Sequence, residues 1–123
     1  MTKKSFEKWQ YGDFQTPIDL ARRVVAVLKR NHTIDPAVVI EPTCGKGAFI
    51  LASYEGFMNA AILGFEINPK HVAEARSYLT GTAATSRVTI NEANFFSTDW
   101  KKILSSLHGY VLVIGNPPWV TSS

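Results

Sequence analysis

Asn116-Pro117-Pro118-Trp119 combines a side-chain amide, two conformationally restricted carbonyls and a large aromatic face directly after the apolar run 110–115. An exocyclic amine on an aromatic base is a poor nucleophile, because its lone pair is delocalised into the ring. Two acceptors aimed at its hydrogens, the Asn116 side-chain oxygen and the Pro117 carbonyl, would favour a pyramidal nitrogen with a localised pair. Proline fixes φ and so holds a carbonyl direction. Trp119 offers a stacking face for a planar base. The plainer reading is a proline-rich strand exit.

Three upstream segments suit a ligand that such a site would need. Glu41-Pro42-Thr43-Cys44-Gly45-Lys46-Gly47 bends through two glycines, which allow close backbone approach. The third glycine of a dinucleotide fingerprint is replaced by Ile50, and Gly47 follows Lys46 where a P-loop has Ser or Thr. No pyrophosphate cradle is therefore expected, and Glu41 is placed to accept from a cationic group such as an amine. Glu66 lies about 20 residues beyond the glycine loop, where an acid at a strand end accepts from ribose hydroxyls. Asn94-Phe95 offers an amide for a purine edge and a ring to lie against it, or else a turn residue and a core aromatic. A nucleoside cofactor without a pyrophosphate fits this set. S-adenosylmethionine is such a molecule, and in-line attack on its sulfonium methyl requires positioning more than a strong base.

The elements that must position these residues follow from periodicity. Thr16-Pro17-Ile18-Asp19 predicts a helix start, with Thr16 as cap and Pro17 at the first helical position. Ile18, Ala21, Val24, Val25 and Leu28 form its apolar stripe, with Asn31 as the stop. Strands are predicted at 37–40, 60–65, 87–93 and 110–114, and helices at 48–55, 70–79 and 98–107. The segment 82–86 reads as a loop. One helix followed by βαβαβαβ predicts an α/β, Rossmann-like doubly wound parallel sheet. Laying strands outward as 3-2-1 with the fourth beside the first brings the loops after strands 1 and 4 together at the switch point.

Composition narrows the class. At 46% hydrophobic and 19% charged residues the chain is globular rather than disordered. A net charge of +3 permits a nucleic-acid partner without requiring one. The single Cys44 excludes an internal disulfide, and no apolar run approaches about 18 residues, so no membrane span is expected. No secretory leader is legible at the N-terminus, no metal is expected, and the location read from these features is cytoplasmic.

With these motifs in view, the chain resembles the amino-methyltransferases that modify exocyclic amines of DNA bases, most closely the N6-adenine group, from about residue 11 to 119. Phe14-Gln15-Thr16-Pro17 resembles the family's Phe-x-x-Pro segment, which implies that Phe14, Thr16 and Pro17 line the methionine end of the cofactor. The loop Glu41, Pro42, Cys44, Gly45, Gly47, Phe49 is similar to the cofactor loop Asp/Glu … Cys-Gly-x-Gly-x-Phe. The resemblance further implies that Glu66 holds the ribose with Ile67 beside it, and that Asn94 and Phe95 contact the cofactor adenine. It makes Asn116, Pro117, Pro118 and Trp119 the catalytic motif, with Asn116 also touching cofactor. Its leading asparagine favours adenine over cytosine. The implied activity is transfer of a methyl group from S-adenosylmethionine to N6 of adenine in DNA, the target base being flipped out of the duplex.

The motif order is similar to that of the class with the Phe-x-x-Pro segment first and target recognition C-terminal. Residues 1–15 are then an arm, and 16–123 part of a cofactor-binding catalytic domain truncated after its fourth strand, with no recognition domain. The implied partners are DNA and a complementary chain or C-terminal half, in a restriction–modification setting. The fourth strand, the most apolar, is expected as an exposed edge. Methyltransferases of RNA bases or of a protein glutamine amide use close variants of the Asn-Pro-Pro-aromatic motif, and a non-catalytic cofactor-binding module is the remaining alternative.

Overall fold

A computed structural model of the chain describes residues 15–116. Four strands form one parallel sheet in the order β3-β2-β1-β4, the order expected from the sequence. They are β1 (Val38–Glu41), β2 (Ala61–Glu66), β3 (Val88–Glu92) and β4 (Val111–Val113). Between them run α2 (Ala48–Gly56), α3 (Pro69–Ser77) and α4 (Trp100–Ser105), and α1 (Ile18–His32) precedes the first strand. The register Val38↔Ala61 and Val38↔Val111 places β1 at the centre, and all four of its residues are buried. The fold is the Rossmann-like arrangement, with helices on both faces of the sheet.

The two faces are packed unequally. On one, Ala21 and Val25 of α1, Phe49, Ile50 and Ala52 of α2, and Val72 and Ala75 of α3 join Val39, Ile62, Val88 and Ile90 in the larger core. On the other, Val38, Ile40 and Phe65 meet Trp100, Ile103 and Leu107. Phe65 and Trp100 pack edge to face at 5.0 Å between centroids, an arrangement aromatic rings prefer. A shallow apolar cavity of about 220 Å³ opens on this thinner side, bounded by Ile40, Pro42, Phe95, Trp100, Leu104 and Val113. Val113 is 58% exposed, and among the described residues no strand pairs with the outer edge of β4.

Several boundaries depart from the sequence expectation. Thr16 does not cap α1; Pro17 is the cap residue, extended at ψ 140°, and no side chain bonds there. The Pro17 carbonyl accepts the first helical bond from Ala21 N at 3.1 Å. The helix passes Asn31 and ends at His32, because Thr33 takes a left-handed conformation at φ 53° and its N–H bonds to the Leu28 carbonyl. Residues 83–86 form a short 3₁₀ turn capped by Thr82, where a loop was expected. β4 spans Val111–Val113 where 110–114 was predicted, and the chain turns away at Gly115, φ 152°, after Ile114 N makes a last bond to the Ile40 carbonyl. Phe14 and Pro117, Pro118 and Trp119 lie outside the described residues, as does most of the expected arm 1–15.

Candidate functional site

The site is assembled at the carboxyl ends of the strands. β1 ends at Glu41, which is only 2% exposed. Its Oε1 accepts the Thr43 N–H at 2.9 Å, closing a tight turn around Pro42. Burial pushes its carboxyl up to about 7; the neighbouring charge of Glu66 adds to the shift and the Thr43 bonds oppose it. The following loop needs its glycines: Gly45 lies at φ 55° and Gly47 at φ 98°. A Cβ on Gly45 would run into the Gln15 side chain, whose oxygen accepts the Lys46 N–H at 2.9 Å. The segment before α1 is thus fastened to the glycine loop through Gln15, which brings the neighbouring Thr16 and Pro17 toward it.

Glu66 ends β2 and ties two loops together. One oxygen accepts from Gly45 N at 2.9 Å and the other from Asn68 N at 2.7 Å. Asn68 in turn caps α3 by accepting from Lys70 N, with Pro69 at the first helical position. Ile67, next to Glu66, is 60% exposed. At the end of β3, Asn94 turns its Oδ1 to the Phe96 N–H at 2.9 Å, so its oxygen serves the local turn. Phe95 packs against Trp100 at 5.6 Å between centroids. Trp100 itself donates to the Phe95 carbonyl at 2.9 Å.

The other predicted loop residues face inward. Cys44 is buried, its thiol pushed by burial up to about 12, with its N–H bonded to the Phe65 carbonyl at 2.8 Å. Phe49 sits in the larger core. Both shape the loop from beneath, and only their backbone borders it. Lys46 leans away to Glu74 at 3.8 Å, so the loop's single cation does not converge on the strand ends. Glu41 and Glu66 carry no ion pair among the described residues. Glu66, joined by Glu41 once its raised carboxyl ionises, makes strand ends without a facing cation that suit a positively charged ligand.

Asn116 follows β4 and meets the loop after β1. The Thr43 hydroxyl donates to the Asn116 carbonyl at 3.2 Å. Ile114 N bonds to the Ile40 carbonyl at 2.9 Å, extending the ladder toward the site. Asn116, the first residue of the predicted loop after β4, therefore meets the loop after β1, the rest of that predicted loop lying outside the described residues, and Thr43, which links the two, had not been singled out as a site residue. Gly115 was the available signal, since a glycine at a strand end marks close backbone approach.

A sequence profile described as N-6 DNA Methylase matches residues 3–122. Among curated proteins, Type II methyltransferase M.NspV of Nostoc sp. is 39% identical over 94% of this chain and 24% of its own length. Type II methyltransferase M.XamI of Xanthomonas campestris pv. amaranthicola is 30% identical over 89% of this chain and 20% of its own. The chain thus spans about a quarter or less of these relatives. A type I restriction-modification system methyltransferase subunit from Streptococcus thermophilus superimposes with a TM-score of 0.57 at 18% identity, over 71% of this chain and 20% of that one. An RNA methyltransferase from Salinibacter ruber, solved with S-adenosyl-L-homocysteine, gives 0.55 at 23% identity, over 70% and 54%. At these identities the two structures establish the fold alone.

Proposed function

The chain belongs to the N-6 DNA methylase family, and from that premise we propose that it forms the cofactor-binding and catalytic portion of a DNA methyltransferase acting on the exocyclic N6 amine of adenine. One observation carries the reading: the order β3-β2-β1-β4 sets Asn116 against the loop after β1, joined to it by the Thr43 hydroxyl. The cofactor is S-adenosylmethionine. The residues present fit it, because it is cationic and lacks phosphate, matching two carboxylates and a glycine loop whose lysine points elsewhere. When bound, it supplies an electrophilic methyl carbon on a positively charged sulfur.

The chain's own residues then bind and orient. Thr16 and Pro17, with Phe14, border the methionine end. Glu41 attracts the amino group, and the backbone of residues 44–47 allows close approach. Each Glu66 oxygen accepts one N–H in the structure and retains acceptor capacity for a ribose hydroxyl. Ile67 and Phe95 flank the cofactor adenine, with Asn94 at its edge. The Asn116 side-chain oxygen and the Pro117 carbonyl accept the target amine's hydrogens, and Trp119 stacks on the flipped base.

Residues 16–123 supply part of the catalytic domain. Further strands pair with the open edge of β4, from a continuation of the chain or from a complementary polypeptide that also reads the DNA sequence. The names of the curated relatives support a restriction–modification setting. The test is methyl transfer from labelled S-adenosylmethionine to adenine-containing duplex by the assembled enzyme. Label should enter DNA at N6 of adenine and be lost on Asn116→Ala. Labelling of RNA or of protein in place of DNA would overturn the substrate assignment.

A further inference from the structure

We infer that Thr43 is a positioning residue for Asn116, acting through the Asn116 backbone carbonyl; the inference rests on the catalytic role proposed for Asn116. Thr43 touches both Glu41, through its N–H and its side chain, and Asn116, through its hydroxyl. Its N–H donates to the buried Glu41 carboxylate at 2.9 Å, which anchors the residue to the end of the central strand. Its hydroxyl donates to the Asn116 carbonyl at 3.2 Å, across 73 positions of sequence. That carbonyl lies in the peptide plane joining Asn116 to Pro117. Holding it restricts rotation about the Asn116 Cα–C bond and so the backbone from which the Asn116 side chain projects.

Gly115 closes the arrangement from the other side. It takes φ 152°, and a Cβ there would collide with both Glu41 carboxylate oxygens. The β4 exit can therefore lie against Glu41, within reach of Thr43, only while position 115 lacks a side chain. Glu41, Thr43, Gly115 and Asn116 form a clasp between the cofactor loop and the catalytic strand exit. Pre-organised geometry of this kind acts on the rate of the chemical step rather than on ligand affinity, and a small misplacement is costly there.

The experiment compares Thr43→Val, Thr43→Ser and Asn116→Ala in the assembled enzyme with duplex DNA. Thr43→Val should lower the single-turnover transfer rate at saturating cofactor by roughly tenfold to a hundredfold. The Kd for S-adenosylmethionine should stay near the wild-type value, and Thr43→Ser, which keeps the hydroxyl, should restore the rate. Hydrogen exchange of the peptide covering 110–116 should quicken in Thr43→Val, a readout independent of turnover. Wild-type rate and exchange in Thr43→Val, with Asn116→Ala inactive, would overturn the inference alone. So would a loss confined to cofactor affinity. An Asn116→Ala enzyme that still methylates adenine would overturn the function beneath it. Should Thr43→Val not fold, Gly115→Ala strains the same clasp, and a wild-type rate there is equally fatal to it.

Discussion

Replacing Glu41 by glutamine should make the protein without cofactor more stable at pH 8, while weakening its hold on the cofactor. The carboxyl is raised from 4.5 to about 7 chiefly by burial. The native state therefore binds this proton more tightly than the unfolded chain does. Below pH 4.5 both states are protonated and nothing is lost; between 4.5 and 7 the unfolded state ionises first, and native stability falls as pH rises. A shift of 2.5 units corresponds to about 3 kcal/mol lost by pH 8. Glutamine keeps an oxygen for the Thr43 N–H and has no proton to release, so most of that loss should disappear. Urea unfolding of wild type and Glu41→Gln at pH 5, 6, 7 and 8, without cofactor, isolates the effect, since other titrating groups cancel in the difference. The expected difference is small at pH 5 and grows to about 3 kcal/mol in favour of Glu41→Gln at pH 8. Parallel curves would show that Glu41 is not held neutral by burial, and the reasoning would fail. Cofactor affinity should run the opposite way between pH 5 and 7: it tightens in wild type as Glu41 ionises opposite a cation, and changes little over that range in the glutamine variant.

Glu66→Ala removes the acceptor of both Gly45 N and Asn68 N, and calorimetry should find S-adenosylmethionine binding weakened by roughly tenfold to a hundredfold, the scale of hydrogen bonds to a charged group. Gly64→Ala would place a Cβ 2.9 Å from both Ile50 Cδ1 and Ile90 Cδ1 and 3.2 Å from Cys44 Sγ. Thermal or urea unfolding should register an overpacking cost of about 1–3 kcal/mol.

The sheet order was legible because each strand ran into a short helical return, and parallel crossovers leave few topologies. The site's outline was legible for the same reason, since residues at strand ends share one edge of the molecule. What one-dimensional reading missed depends on register and burial. Thr43 meets Asn116 only because Val38 pairs with Val111. Cys44 looked like a ligand-facing residue, yet its side chain turns under the loop into the core. Asn94 retained two readings in the sequence, and its oxygen is drawn to the nearest N–H of its own turn. The start of α1 slipped by one residue because Thr16 and Pro17 are both plausible starters, and only backbone geometry separates them.

The central strand acquires its two neighbours at different times. β2 follows β1 after one helix, whereas Asn116 lies 73 positions beyond Thr43. At synthesis rates of about 5–20 residues per second, that interval is roughly 4–15 s. The glycine loop and Glu66 leave the ribosome well before β4, and pairing β1 with β4 closes a much longer loop than pairing it with β2. On the proposed assignment, the cofactor-loop residues are therefore synthesised before the residue that uses the cofactor. Asn116 reaches the end of the central strand only when β4 docks.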